Sequence, residues 1–225
     1  MRRKVITMSL LVISLLTSCN KHVLRSDIAK FIASFSLNDA VQAYLEGGYE
    51  DTKIEDIEGK VTKTIETFSF NVRDVNKPEY SKTIKVYEND ALSSETKEEI
   101  VNRNEKFYLE KTGQADIELT LQDCHSYVEK FFYKETMFEG SYHVQGMYYG
   151  DYINQSAEYF QNYITIDQEN NLYIFEANIE QIVDEKPTKQ YEKYVVNSWG
   201  MLDYLQVEMK NGTNTITQDI QVYRK

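Results

Sequence analysis

Two thiols, three imidazoles and 18 tyrosines are the side chains of this 225-residue chain that could carry chemistry or grip a ligand. The imidazoles are His22, His125 and His143. His125 directly follows Cys124, and neighbours on a helix point about 100° apart, so the two cannot share a metal ion. Cys124 therefore reads as a core thiol beside a surface imidazole. His143 has no partner at ligand spacing. No Gly-rich phosphate loop, Gly-x-Ser-x-Gly elbow or His-Glu-x-x-His pair occurs. Acids cluster at Glu50, Asp51, Glu55, Asp56 and Glu58. A calcium loop needs acids at alternate positions and a glycine at its sharp turn, which Asp51, Glu55 and Gly59 do not supply. That cluster reads as a solvated loop. No catalytic residue, metal or cofactor is expected, and the chain is read as a non-enzyme. The remaining candidate site is aromatic. Tyr142, Tyr148, Tyr149, Tyr152, Tyr159 and Tyr163 crowd residues 142–163. They would line an apolar groove if the adjoining sheet and helix enclose one. Packing of a Tyr-rich strand on a helix is the plainer alternative.

The other thiol, Cys19, stands at the end of a leader. Arg2, Arg3 and Lys4 precede a short apolar run from Val5 to Leu16. Roughly a dozen apolar positions fall short of the about 20 that span a bilayer core, so the run reads as an export signal. The following Leu16-Thr17-Ser18-Cys19 resembles the bacterial lipobox. That resemblance implies cleavage after Ser18 and a diacylglyceryl group on the Cys19 sulfur. Two acyl chains then give a durable anchor where one would be marginal. The expected organisation is a signal peptide at residues 1–18, a lipidated tether at 19–25 and a single domain at 26–225. The expected place is the extracytoplasmic face of a bacterial membrane, in the cell envelope.

Charge agrees with that placement. Removing residues 1–18 takes three bases and no acids, so 25 Lys and Arg fall to 22 against 36 Asp and Glu, a charge of −14. Nucleic acid needs a basic patch and is excluded as a partner. The anchor would work by its lipid and not by a polybasic segment. With Cys19 lipidated, only Cys124 remains, and no intrachain disulfide is possible.

The elements that would position these groups follow from periodicity. Ile28, Phe31, Ile32 and Phe35 recur at helical spacing behind Ser26, and Ala40, Val41, Tyr44 and Leu45 extend the stripe to Gly47-Gly48. Residues 27–46 are one bent helix or two short ones. Phe68, Phe70 and Val72 alternate with polar residues, as do Tyr80, Lys82, Ile84 and Val86, giving two strands around a turn at 74–78. Residues 88–99 read as a polar loop, and 100–111 as a third strand. Asp116 opens a second helix carrying Ile117, Leu121, Cys124, Val128 and Phe131. Residues 138–149 read as an irregular strand, and 151–164 as a third helix. The last 55 residues read as a four-stranded meander, with Asn211-Gly212 a type I′ hairpin signal. The fold class expected is α+β, a curved antiparallel sheet packed on a few helices.

The order of elements resembles the lipoprotein-carrier half-barrels, the LolA-like and LppX-like proteins. The resemblance rests on the helices at Asp27–Glu46 and Asp116–Phe132. It rests also on the run NLYIFEANIE and the later EKYVVNSWGMLDYLQVEMKNGTNTITQDIQVY. It implies a sheet folded over internal helices with an acyl ligand between, and it assigns no residue a role. Two functions are expected on these grounds. One is a binding module for a lipid or other apolar ligand. The other is a structural or adhesive envelope protein that uses its outer surface for protein contacts.

Overall fold

The computed structural model describes residues 44–133, 136, 164–167, 172–183, 185–198 and 200–225. Their backbone is built on hairpins. β1 (Glu46–Ile57) and β2 (Lys60–Asn71) are joined by Glu58-Gly59, both at positive φ. β3 (Glu79–Glu88) and β4 (Ala91–Arg103) are joined by Asn89-Asp90, and β4 and β5 (Lys106–Lys111) by Asn104-Glu105, again with both residues at positive φ. Two consecutive residues at positive φ form the turn whose twist matches paired strands, so each loop fixes the register on either side. A short β6 (Ile117–Leu119) ends this half.

The second half contains β7 (Ile164–Asp167), β8 (Leu172–Val183), β9 (Lys186–Asn197), β10 (Leu202–Asn211) and β11 (Asn214–Arg224). β11 pairs with β1, so the two halves form one antiparallel sheet of 11 strands in the order β6-β5-β4-β3-β2-β1-β11-β10-β9-β8-β7.

This corrects the α+β expectation. Among the described residues the protein is nearly all β, with one α-helix, α1 (Leu121–Val128), continued by a π-helical stretch at Glu129–Tyr133. Three misreadings produced the error. Gly47-Gly48 does not stop a helix but lies inside β1. The acidic stretch 50–58 and the polar stretch 88–99 are not loops but most of β1 and the first part of β4. Asp116 caps nothing and pairs with Arg103 at 2.8 Å, while Ile117 sits in β6. The cap of α1 is Thr120, whose hydroxyl accepts from the Asp123 N–H while the Asp123 carboxylate accepts from the Thr120 N–H. That reciprocal pair satisfies two otherwise orphaned donors. The terminal meander forms with strands longer than expected. Its last turn centres on Gly212-Thr213, and only Gly212 has positive φ, the type II′ pattern. The first expected helix up to residue 43 and residues 138–163 lie outside the described residues; Ile164 lies in β7.

One face of the sheet, here the inner face, receives α1. Its core is aromatic: Tyr49, Phe68, Phe70, Tyr80, Ile100, Phe107 and Leu109 from the strands, with Cys124, Val128 and Phe132 from the helical segment, all buried. Phe132 lies 6.0 Å from Phe68 and 4.6 Å from Phe70, centroid to centroid. The glycine pair makes this approach possible from both sides. A Cβ on Gly47 would stand 3.3 Å from the Phe132 ring tip and 3.0 Å from Phe70. A Cβ on Gly48 would point to the outer face, well inside van der Waals contact of the Phe68 carbonyl and of the Tyr223 hydroxyl. Tyr223 crosses Gly48 and donates to that same carbonyl at 3.3 Å, the ring taking the place of the missing side chain. Gly48→Ala is therefore expected to destabilise the fold by about 2–3 kcal/mol through overpacking. Urea unfolding checks this, and an unchanged midpoint would contradict the Tyr223 packing.

Candidate functional site

Among the described residues, the inner face runs well past its helical cover. An eight-residue helix is about 12 Å long, whereas a twelve-residue strand is about 40 Å long. Beyond the aromatic core the inner positions are mixed. The row next to it is Tyr49, Phe68, Lys82, Glu98 and Lys111, aligned by the register of β1 to β5. The following row is Ile220, Asp51, Glu66, Ile84 and Thr96. Farther on come Val86 on β3, Val207 and Met209 on β10, and Ile216 on β11, all half-buried.

The polar members of these rows form a connected seam. The Tyr49 hydroxyl donates to Glu66 at 2.5 Å, and the Lys82 ammonium lies 2.7 Å from the same oxygen. The Tyr80 hydroxyl donates to Glu98 at 3.2 Å, and Lys111 pairs with Glu98 at 2.9 Å. Lys82 and Glu98 are only 17% and 19% exposed, so these pairs are shielded from bulk water more than surface pairs are. Gln218 donates to Asp51 at 2.9 Å, and the other Asp51 oxygen is buried with no hydrogen-bond partner among the described residues. A recess of ≈ 270 Å³ opens between Lys82, Ile84, Thr96, Glu98 and Lys111.

Burial governs the protonation of this seam. It raises the Tyr80 hydroxyl far above the ordinary phenol range, with the Glu98 charge adding to the effect. It also raises Asp51 above its ordinary 3.8, with the Glu66 charge opposing ionisation further and the Gln218 hydrogen bond favouring it. A carboxyl with a raised folded pKa binds more protons in the folded than in the unfolded state. Stability then falls as pH rises through the window above the ordinary value, and the cost is fully present at neutral pH. Asp51→Asn keeps an acceptor for Gln218 and removes the charge. It is expected to raise the thermal midpoint at pH 7, with the gain shrinking as pH falls through that window and gone below the ordinary carboxylate range. Equal midpoints at pH 7 would contradict the buried charge.

The site the sequence suggested is not the one described. Cys19 and the tyrosines Tyr142, Tyr148, Tyr149, Tyr152, Tyr159 and Tyr163 lie outside the described residues. Tyr49 and Tyr80 are instead the tyrosines that join the aromatic core to the seam. The parity of Tyr80 with Ile84 and Val86 signalled its inner position. Tyr49 gave no such signal, because Gly47-Gly48 reads as a helix end. Cys124 is fully buried, and burial pushes its thiol up to about 11, so it stays protonated and packs as an apolar group. His125 points away and bonds the Val75 carbonyl at 3.2 Å through Nε2, tying α1 to the β2–β3 loop.

The outer face is built differently. Tyr191 donates to Glu176 at 3.1 Å and Tyr204 to Asp219 at 2.7 Å, cross-strand pairs that hold both phenols up at about 12, chiefly by burial. A groove of ≈ 400 Å³ lies among Asn178, Lys189, Tyr191, Glu208, Lys210 and Thr217.

No family model and no curated protein matches the sequence. Among solved structures, LprF from Mycobacterium bovis is similar at 10% identity and a TM-score of 0.27, over 86% of this chain and 90% of that one. A beta-barrel-like protein of domain of unknown function DUF1849 from Brucella abortus is similar at 9% identity and a TM-score of 0.18, over 81% of this chain and 100% of that one. At these scores neither likeness carries a role over to this chain. Among the described residues, no helix is long and apolar enough to cross a membrane.

Proposed function

We propose that this protein is a bacterial lipoprotein, held by a lipidated Cys19 on the extracytoplasmic face of a membrane, that binds a lipid or other apolar ligand along the inner face of its sheet. It acts by binding and not by catalysis. The observation that supports this best is the make-up of the inner face beyond the core. Half-buried Ile84, Val86, Val207, Met209, Ile216 and Ile220 continue the apolar surface past the reach of α1, and the seam of Tyr49, Asp51, Glu66 and Lys82 crosses it. An apolar wall with a few placed polar groups is the usual make-up of a small-molecule site. A sheet meant only to pack on a short helix has no use for apolar side chains about 7–20 Å farther along its strands.

The test is displacement of a fluorescent long-chain acyl probe from the mature protein. Saturable binding is expected, weakened about tenfold or more when Val86 and Val207 are both changed to Glu, each of which would bring an unpaired charge to the apolar wall. Equal binding by the wild type and that variant would contradict the inner-face site.

A further inference from the structure

Among the described residues, Arg224 has buried donors that the seam and the core leave unused. It lies at the inner end of β11 opposite Gly47, at the margin of the aromatic core. Its side chain is 8% exposed. A bulge between Leu202 and Tyr204 takes Asp203 out of the β9–β10 ladder, and the Asp203 carboxylate accepts from Nη1 of Arg224. The guanidinium carbon, Cζ, lies over the Tyr44 ring, 5.2 Å from its centroid. Tyr44 in turn accepts from the Asn197 side chain at 2.9 Å, so the ring on which the cation rests is itself fixed.

The two remaining nitrogens, Nε and Nη2, are buried and have no hydrogen-bond partner among the described residues. These two are not an arbitrary pair. Their N–H bonds run parallel along one edge of the planar guanidinium, at the spacing of the two oxygens of a carboxylate or of one face of a phosphate. Buried donors in folded proteins are almost always satisfied, and an ionised group left short of partners is the costliest exception. Asp203 answers the charge but reaches only Nη1.

We propose that the Nε–Nη2 edge of Arg224 binds an oxyanion, the carboxylate or phosphate head of the ligand held on the inner face. The site has the parts such recognition needs: a cation oriented by Asp203, a guanidinium carbon held over the Tyr44 ring, and two parallel donors in a shielded place where charge-assisted bonds are strong. The proposal rests on the apolar-ligand reading for the tail of the ligand and not for its head.

The test uses the mature protein carrying ¹⁵N-labelled arginine, with Arg224→Lys to identify the Arg224 Nε–H resonance. That variant keeps a positive charge opposite Asp203 and lacks the parallel pair of donors, so it separates loss of the fork from loss of the fold. Decanoate, decyl phosphate and decanol are compared as long-chain probes, with acetate and inorganic phosphate as short ones. At least one of the two long-chain anions is expected to bind about tenfold more tightly than decanol, with the margin lost in Arg224→Lys. The anion that gains more tells a carboxylate source from a phosphate source. Equal affinity for decanol and both anions, or a margin kept in Arg224→Lys, would overturn the proposal. So would an Nε–H resonance that exchanges with water and moves with no probe, which means a bridging water only. If every long-chain probe fails while acetate or phosphate shifts the Nε–H resonance, the apolar groove falls and the oxyanion site stands.

Discussion

Cys19→Ala is expected to leave a full-length precursor that carries no fatty acid. The effect is all-or-none because no other side chain in the leader can form the thioether, and only Leu16-Thr17-Ser18-Cys19 presents a thiol behind small residues. Without the modification, processing after Ser18 does not occur, and the charged n-region stays on the chain. In the mature form proposed above, a charge of −14 would repel an anionic leaflet and leave the acyl chains as the sole anchor. Metabolic labelling with a radioactive fatty acid, followed by electrophoresis, reads both consequences at once. Equal label in the mutant and the wild type, at the same mobility, would contradict the anchor.

The largest expected loss of stability follows Phe68→Ala. Phe68 is 1% exposed and stands at the centre of the core. Its ring stacks on Tyr49 at 5.4 Å and on Phe132 at 6.0 Å, and meets Tyr80 edge-on at 5.2 Å. Truncation leaves a cavity lined by strands on one side and the helical segment on the other, neither of which can close on it alone. A buried Phe→Ala change costs about 3–5 kcal/mol. For a domain with total stability of about 5–15 kcal/mol, that is a fifth or more of the margin. The thermal midpoint should fall by about 10 °C, at the few degrees per kcal/mol usual for this size. Leu92→Ala, at a half-exposed position on β4, should shift it by no more than about 1 °C. Similar shifts for the two variants would mean that the aromatic cluster is not the core.

Both expectations come from parts of the chain whose pattern is unambiguous. The alternation of Phe68 and Phe70, and of Tyr80, Ile84 and Val86, was legible because one side of each strand is apolar and the other polar. The same holds for the terminal meander. β1 and the first part of β4 were illegible for the opposite reason. Residues 91–97 are exposed on both faces, so no period marks them as a strand. They are held by backbone pairing to β3 and by Asn89-Asp90, a turn that non-glycine residues enter at positive φ. In β1 the acids fall on both faces, Glu50 and Asp56 on one and Asp51 and Glu55 on the other, so no period marks that strand either. Of the inner pair, Asp51 reaches Gln218, a partner that only the tertiary fold reveals. Gly47-Gly48 misled most. A glycine pair after an amphipathic run reads as a helix stop, but here each glycine answers a separate aromatic ring, Phe132 inside and Tyr223 outside.

The candidate site followed the same division. That tyrosines were candidates for the site was readable from composition. Which tyrosines was not, because Tyr49 and Tyr80 earn their place from Glu66 and Glu98, 17 and 18 residues away in sequence. Arg224 gave no sequence signal at all. Its setting depends on a bulge at Asp203 and on Tyr44, which lie 21 and 180 positions away along the chain.

Native mass spectrometry of the protein extracted from cell membranes in mild detergent tests the central claim in a single measurement. The expected mass is that of a chain beginning at Cys19 with its acyl groups, together with a second population heavier by one bound lipid or acyl molecule that leaves on collisional activation. A chain still beginning at Met1, or a processed chain with no bound molecule under any condition that preserves the fold, would contradict it.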